Sequence, residues 1–439
     1  MISWTATLSD HSGQQQVLPS PDPAVRLRPF PFPYRAALAI CSDIDGCDHP
    51  TFLAVHRYLN DSRRGLGLPV ADSFFGLGQE PSQIAYFLPD GRTPGPDAHL
   101  IIQGLQGGLI DSLHSWGDFN FTSPEPQVLR PLAARLVEDL HRQGLSVKIW
   151  LNHGDPCNRQ NLQARLQPVY GGDDPSSPYY TADLLKALGL KYYWWSELVS
   201  WPLSSGRPWT SPGSWLRPGL NALKNTVKIL LGQRQKVKTT AQIRELCQPV
   251  TLRDGLPVMA FTRHLRGLKE PTSRHTLRYT LGQPVLEELL AQEGYLLHYT
   301  HLGLPRPAPG EELFPSADRA ALNLLAQHYH KGRIWVAPTV NVLTHWLVTR
   351  HLNWTVNQEG ERLIIHLKSL QDPTTGPRPP ALEELAGLCF YVPPRVEVIL
   401  RLGELETVPR VFGPDHTGER VVGLEPPPPP DLGVLTESP

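Results

Sequence analysis

Cysteine is scarce in this chain: five among 439 residues, Cys41, Cys47, Cys157, Cys247 and Cys389. The count is odd and no two stand in CxxC spacing, which argues against a disulfide framework and against a structural zinc site. They are expected to be small buried apolar residues. Long apolar runs are missing as well. No stretch approaches the eighteen or so consecutive apolar residues of a membrane-spanning helix. Residues Met1 to Asp10 contain neither a basic n-region nor an apolar h-region, so a soluble, cytoplasmic protein is expected. Net charge is also absent, since 41 Lys and Arg offset 42 acids to leave −1. No global field draws the protein toward nucleic acid or an anionic membrane, and partners should be neutral or recognised locally.

Proline and tryptophan are plentiful, at 46 and 11. Proline marks many loops, and the aromatic clusters could stack on sugar faces. The length suggests two or three domains, or one large α/β barrel with an appendage. Residues 1–30 are polar and proline-spotted without periodicity, which predicts an arm. The stretch from Arg35 to Asp48 is the centre of the reading. Ala36 to Cys41 is a continuous apolar run, the pattern of a buried parallel strand, and it ends in Asp43 and Asp45. Gly46 then lets the chain turn. Two carboxylates so close call for a compensating positive charge, and a bound metal ion would supply one. The same aspartates also fit a turn or helix N-cap.

Alternation of strands and helices follows. A helix is expected from Thr51, a strand over 70–77, a strand from Gly107, and a helix from Pro126 that Gly144 closes. Strands from Leu145 and Lys191 flank a helix ending at Gly189, and 203–250 reads as an insertion with a basic tract. That tract fits a solvated face better than a dedicated anion site. Strands recur near 256, at Gly294 and at Gly332, with helices over Pro284–Glu293 and from Ala321 between them. This order is that of βαβ units in a parallel sheet or barrel. The expected barrel spans 31–346, a small β-sandwich-like domain 347–424, and a proline-rich disordered tail 425–439.

Four strand ends carry polar residues: Asp43 with Asp45, His114 with Asp118, Asn152 with His153, and Thr300 with His301. Carboxyl ends of parallel strands face one side of the sheet, so these residues are expected around one cleft. Any one of the histidines taken alone fits a structural role. Asp45, His114 and Asp118 offer one imidazole and two oxygen ligands, a set suited to Zn²⁺, with Mn²⁺, Fe²⁺ or Ni²⁺ open. Trp116, Tyr192, Tyr193, Trp194 and Trp195 are candidate sugar platforms, although core packing explains such residues equally well.

The pattern resembles the polysaccharide deacetylases of the NodB type. Their first motif places an aspartate base beside a metal-binding aspartate, which assigns those roles to Asp43 and Asp45. Their second is a histidine, Ser or Thr, and a second histidine four positions after the first; here His114 and Ser115 match and Asp118 stands at the last position. Their leucine-x-histidine near the last strand supplies a general acid, a role His301 would take. Their arginine-containing third motif is missing, and Leu151 to Gly154 occupies its place. The resemblance implies an irregular (β/α)7 barrel, a divalent cofactor, Zn²⁺ above all, and removal of N- or O-acetyl groups from a carbohydrate substrate, with Asn152, His153, Trp116 and Trp195 lining the substrate. Two rivals share these residues. Ser42 to Cys47 also resembles the first motif of haloacid-dehalogenase-type phosphatases, with Asp43 as nucleophile and Asp45 as acid/base; that family normally has Thr where Cys47 stands and a later acidic pair at a strand end, whereas Asp173 and Asp174 lie in a Gly-Gly-Asp-Asp-Pro loop and the histidines have no role there. A degenerate barrel that only binds glycan is the other.

Overall fold

The computed structural model describes residues 25–78, 80, 82–119, 122–154, 157–163, 169–199, 245–265 and 273–435, with the short strands 4–6, 8–9, 15–16 and 203–204. Seven parallel strands close into a barrel: β1 (Ala36–Ser42), β2 (Ala71–Leu77), β3 (Ile110–His114), β4 (Ile149–Leu151), β5 (Tyr192–Val199), β6 (Pro257–His264) and β7 (Gly294–Thr300). Neighbours in sequence are neighbours in the sheet, and β7 pairs back with β1. Closure removes the exposed edges that an open sheet would leave. At the seam the Asp43 amide donates to the Thr300 carbonyl at 2.9 Å.

Register sets which residues share a level. Ser42 stands opposite Asp72, so β1 ends where β2 begins; His114 stands opposite Leu151, which puts the loop after β4 just beyond the end of β3. The β1 segment is buried throughout, as its unbroken apolar pattern predicts. Helices α1 (His49–Asn60), α2 (Ala98–Gln106), α3 (Pro126–Arg142), α4 (Ala182–Leu188), α5 (Gln283–Gln292) and α6 (Ser316–His330) alternate with the strands. In α3, Leu129, Leu132, Ala133, Leu136, Val137 and Leu140 recur at three- and four-residue intervals and form the buried stripe. Gly144 follows it at φ 67° and Gly189 follows α4 at φ 100°, both left-handed stops that favour glycine. Among the described residues no helix is long and apolar enough to cross a membrane.

The chain divides into two compact units whose limits differ from the sequential domains expected. One holds Leu38–Gln327, Val336–Val340 and Pro429–Pro439; the other holds Met1–Ala37, His328–Trp335 and Asn341–Pro428. In the second unit a six-stranded and a four-stranded sheet are formed chiefly by residues beyond 351. The pairing of Arg362–His366 with Glu397–Arg401 is parallel, a departure from a purely antiparallel sandwich. The expected arm ends earlier than residue 30. Arg26–Leu27 pairs with Phe390 and Tyr391, and Arg28 is buried with hydrogen bonds to the Phe30 and Pro31 carbonyls and to Asp415. Nor is the tail free over its described part: the Asp431 amide donates to the Gly107 carbonyl at 2.8 Å. Proline removes donors but leaves carbonyls, and the flanking residues still make such bonds. Most of the basic insertion lies outside the described residues, while Cys247–Thr251 at its end is a strand paired antiparallel with β6.

Three buried histidines in the barrel unit are held neutral. Burial pushes His264 and His298 down to about 3 and His56 down to about 4. An unfolded chain protonates them near the ordinary value of about 6.5, so below that pH the unfolded state binds more protons. Stability is therefore full above about pH 6.5 and falls on acidification toward the folded values, by up to about 1.4 kcal/mol per pH unit for each histidine. A urea midpoint that drops between pH 7 and pH 5 is expected, and an unchanged midpoint would contradict this.

Candidate metal and acid–base site

The loop after β1 turns at Gly46, whose φ of 62° is left-handed, as its place in the sequence predicts. Helix capping falls to another residue: the Asp48 carboxylate accepts from the Thr51 amide at 2.9 Å. Asp43 and Asp45 are thus released from the cap role and turn to the carboxyl ends of the other strands. Their loop is pinned on both sides, by the Ile44 amide donating to Ser73 Oγ and by the Leu302 amide donating to Ser42 Oγ, each at 3.0 Å.

Asp43 is buried and bonded through both oxygens to the guanidinium of Arg263, near the end of β6, at 2.5 and 2.9 Å. The guanidinium lies 3.6 Å from the Trp194 ring centroid and 4.2 Å from that of Tyr299. Aromatic faces favour a desolvated cation, and the planar fork matches a carboxylate on two bonds. Burial raises the Asp43 pKa, but Arg263, then His114 and His301, outweigh it and hold the carboxyl below the ordinary range. Asp43 is therefore ionised at neutral pH.

Asp45 is the hub of the cluster. Its Oδ1 lies 2.7 Å from His153 Nε2, and its Oδ2 lies 3.2 Å from His114 Nδ1 and 3.6 Å from His301 Nε2. Burial opposes its charge, yet His114 and His153 overcome that and depress its pKa well below the ordinary value. Asp118 behaves oppositely: burial raises its pKa despite His153 nearby. Its Oδ2 accepts from Gln83 Nε2 at 3.1 Å. The rings of Phe75, His114 and His153 stack in turn, with centroids 4.8 Å apart at each step.

Six of the predicted residues therefore meet at one end of the barrel: Asp43, Asp45, His114, Asp118, His153 and His301. The groups Asp45, His114, His153 and Asp43, Asp45, His301 each bring ligand atoms within 4.8 Å of one another, a spacing that could hold a metal ion. The predicted set Asp45, His114 and Asp118 is not among the groups with that spacing; Asp45 and His114 are, and Asp118 is not. Asp45 Oδ2, His114 Nδ1 and Asp118 Oδ1 are buried and make no hydrogen bond of normal geometry, the first two lying 3.2 Å apart. Buried polar atoms left unsatisfied are costly, and a cation between Asp45 and His114 would satisfy the first two.

Three substrate-lining expectations are corrected. Trp116 is fully buried, packs on Trp150 and donates to Thr181 Oγ1 at 2.8 Å, so its faces are unavailable to a sugar. Trp195 is 5 % exposed and belongs to the core that includes Tyr193 and Leu185. Asn152 is fully buried and spends its amide locally, accepting from Trp150 Nε1 and the Leu162 amide and donating to the Leu162 carbonyl. In each case burial wins over a pattern that exposure would also have explained. Arg263 was not anticipated. Its signal was a cation near the end of the strand Pro257–His264, two residues after the apolar run Val258–Phe261, a position that demands a buried anion.

No protein-family model matches the chain, and neither a curated protein nor a solved structure does.

Replacing Arg263 by Leu should strand the Asp43 charge and cost about 3–5 kcal/mol of unfolding free energy. Combining it with Asp43→Asn should recover part of that loss. Denaturant titrations of the two single variants and the double variant check this; additive losses would show that the pair is not energetically coupled.

Proposed function

We propose that the chain is a metal-dependent hydrolase that removes N- or O-acetyl groups from a carbohydrate or glycan precursor, as its resemblance to NodB-type deacetylases implies. The observation that carries the reading is the meeting of a carboxylate held ionised by arginine, a group of ligand atoms spaced to suit a cation, and a further imidazole at one end of a parallel barrel. Asp45 and His114, the part of the expected set that has ligand spacing, would hold the ion, with zinc favoured by the imidazole. A bound divalent ion would polarise an acetyl carbonyl and acidify water.

The remaining roles belong to the protein. Asp43, ionised at neutral pH, would accept the proton of the attacking water, and Arg263 would keep it oriented and charged. His301 would donate a proton to the departing amine or alkoxide; its Nε2 lies 3.4 Å from the Tyr299 hydroxyl and near Asp45, which orients the ring. His114 Nε2 lies 3.7 Å from Asp43 Oδ2, so a proton on that nitrogen would face the base and leave Nδ1 for the ion.

The phosphatase reading fares worse because it gives no role to His114, His153 and His301, whose imidazoles surround Asp45. The glycan-binding reading predicts no turnover. With zinc-loaded protein and a panel of acetylated sugars and phosphomonoesters, acetate release is expected. Asp43→Asn and His301→Ala should each lower kcat/KM by about 10²–10⁴. Phosphate release that needs Asp43 but not His114 or His301 would favour the phosphatase, and release of neither product would leave the binding reading.

A further inference from the structure

We infer that His153 carries its proton on Nε2, locked there by Asn158, and so serves the ion site as a positioning donor to Asp45 rather than as a metal ligand. The inference rests on the ion site proposed above and assigns the imidazole that spacing alone would count among the ligands.

The lock starts at a backbone group whose polarity is beyond question. The Phe119 amide donates to Asn158 Oδ1 at 3.2 Å. A side-chain amide offers an acceptor at one end and donors at the other, so this bond fixes which end of Asn158 is which. Its Nδ2 then faces His153 Nδ1 at 3.0 Å and donates to it. Turning Asn158 over would set two N–H groups against each other at Phe119. Gln160 supports the same orientation by donating to Asn158 Oδ1 at 3.0 Å and to Ser115 Oγ at 2.5 Å. Asn158, Gln160 and Asn161 are all fully buried, where an amide is held by its partners.

An Nδ1 that accepts a hydrogen bond carries no proton, so the neutral ring bears it on Nε2. That nitrogen lies 2.7 Å from Asp45 Oδ1 and 3.7 Å from Asp118 Oδ1, and donates to the first. Metal ligation through Nε2 would require removing this proton while Nδ1 remains an acceptor, which would leave an imidazolate. The backbone of His153 is fixed with equal care: its amide donates to Asn161 Oδ1 at 3.0 Å, and Asn161 Nδ2 donates to its carbonyl. Asp45 is divided as a result. Oδ1 belongs to His153, and Oδ2, 3.2 Å from His114 Nδ1, is left for the ion.

Protein labelled with ¹⁵N at histidine reports the tautomer directly through the ring-nitrogen shifts. In metal-free protein His153 should show a protonated Nε2 and a bare Nδ1. On zinc addition that proton should remain while His114 Nδ1 moves to the metal-bound range. Asn158→Asp, which presents an acceptor to Nδ1, should transfer the proton to Nδ1. By elemental analysis His153→Gln, whose amide can still donate to Asp45, should keep one zinc per chain with affinity lowered by no more than about tenfold, whereas His114→Ala should lose the metal. A proton on Nδ1 in the metal-free wild type, or a zinc-bound Nε2, overturns the inference. Failure of zinc to bind at all would instead sink the ion site, and the metal-free spectrum would still decide the tautomer.

Discussion

The ion pair between Asp43 and Arg263 is the constraint on which the rest of the site depends. Burying a carboxylate and a guanidinium costs several kcal/mol per ion before their attraction is counted, and only good geometry recovers it. Here the geometry is good: two bonds, with aromatic rings close to the guanidinium. The pair ties the loop after β1 to the end of β6, beside the seam where Asp43 also meets β7. Asp45, two residues on, inherits its position from that anchor. Once it is placed, the imidazoles of His114, His153 and His301, from three different strands, fall around its carboxylate.

A second frame is made of neutral amides. Asn152, Asn158, Gln160 and Asn161 follow β4 and bond to one another's neighbours rather than to solvent, each bond contributing about 1 kcal/mol when its partner is satisfied. Their combined effect is on orientation more than on stability. They deliver His153 to Asp45 with one nitrogen already engaged, so the cluster contains imidazoles with different duties. The two carboxylates on either side of His153 are also pushed apart, Asp45 toward the charged form and Asp118 toward the neutral one. Such divergence among neighbouring acids is a mark of sites that do chemistry, although structural networks produce it too.

Much of the barrel was legible because burial leaves a periodic trace. The apolar run of β1, the stripe of α3 and the glycines after α3 and α4 each state their own conformation locally. Strand-end polarity then picked out six candidate residues that lie together at one end of the barrel. The other three failed for one reason: Trp116, Trp195 and Asn152 are compatible with either a core or a cleft, and only packing decides between them. The closure of β7 on β1 and the division into interleaved units depend on contacts between residues far apart in sequence, and no local pattern encodes those. Arg263 was visible as a charge just after an apolar run but had no nearby partner in sequence; Asp43 lies 220 positions away.

Anomalous diffraction at the zinc edge, from crystals of protein loaded with one equivalent of the metal, tests the central claim most directly. A single strong peak is expected beside Asp45 and His114, at about 2.0–2.2 Å from a ligand atom of each. A peak elsewhere on the molecule, or none in crystals whose solution retains the zinc, would contradict it.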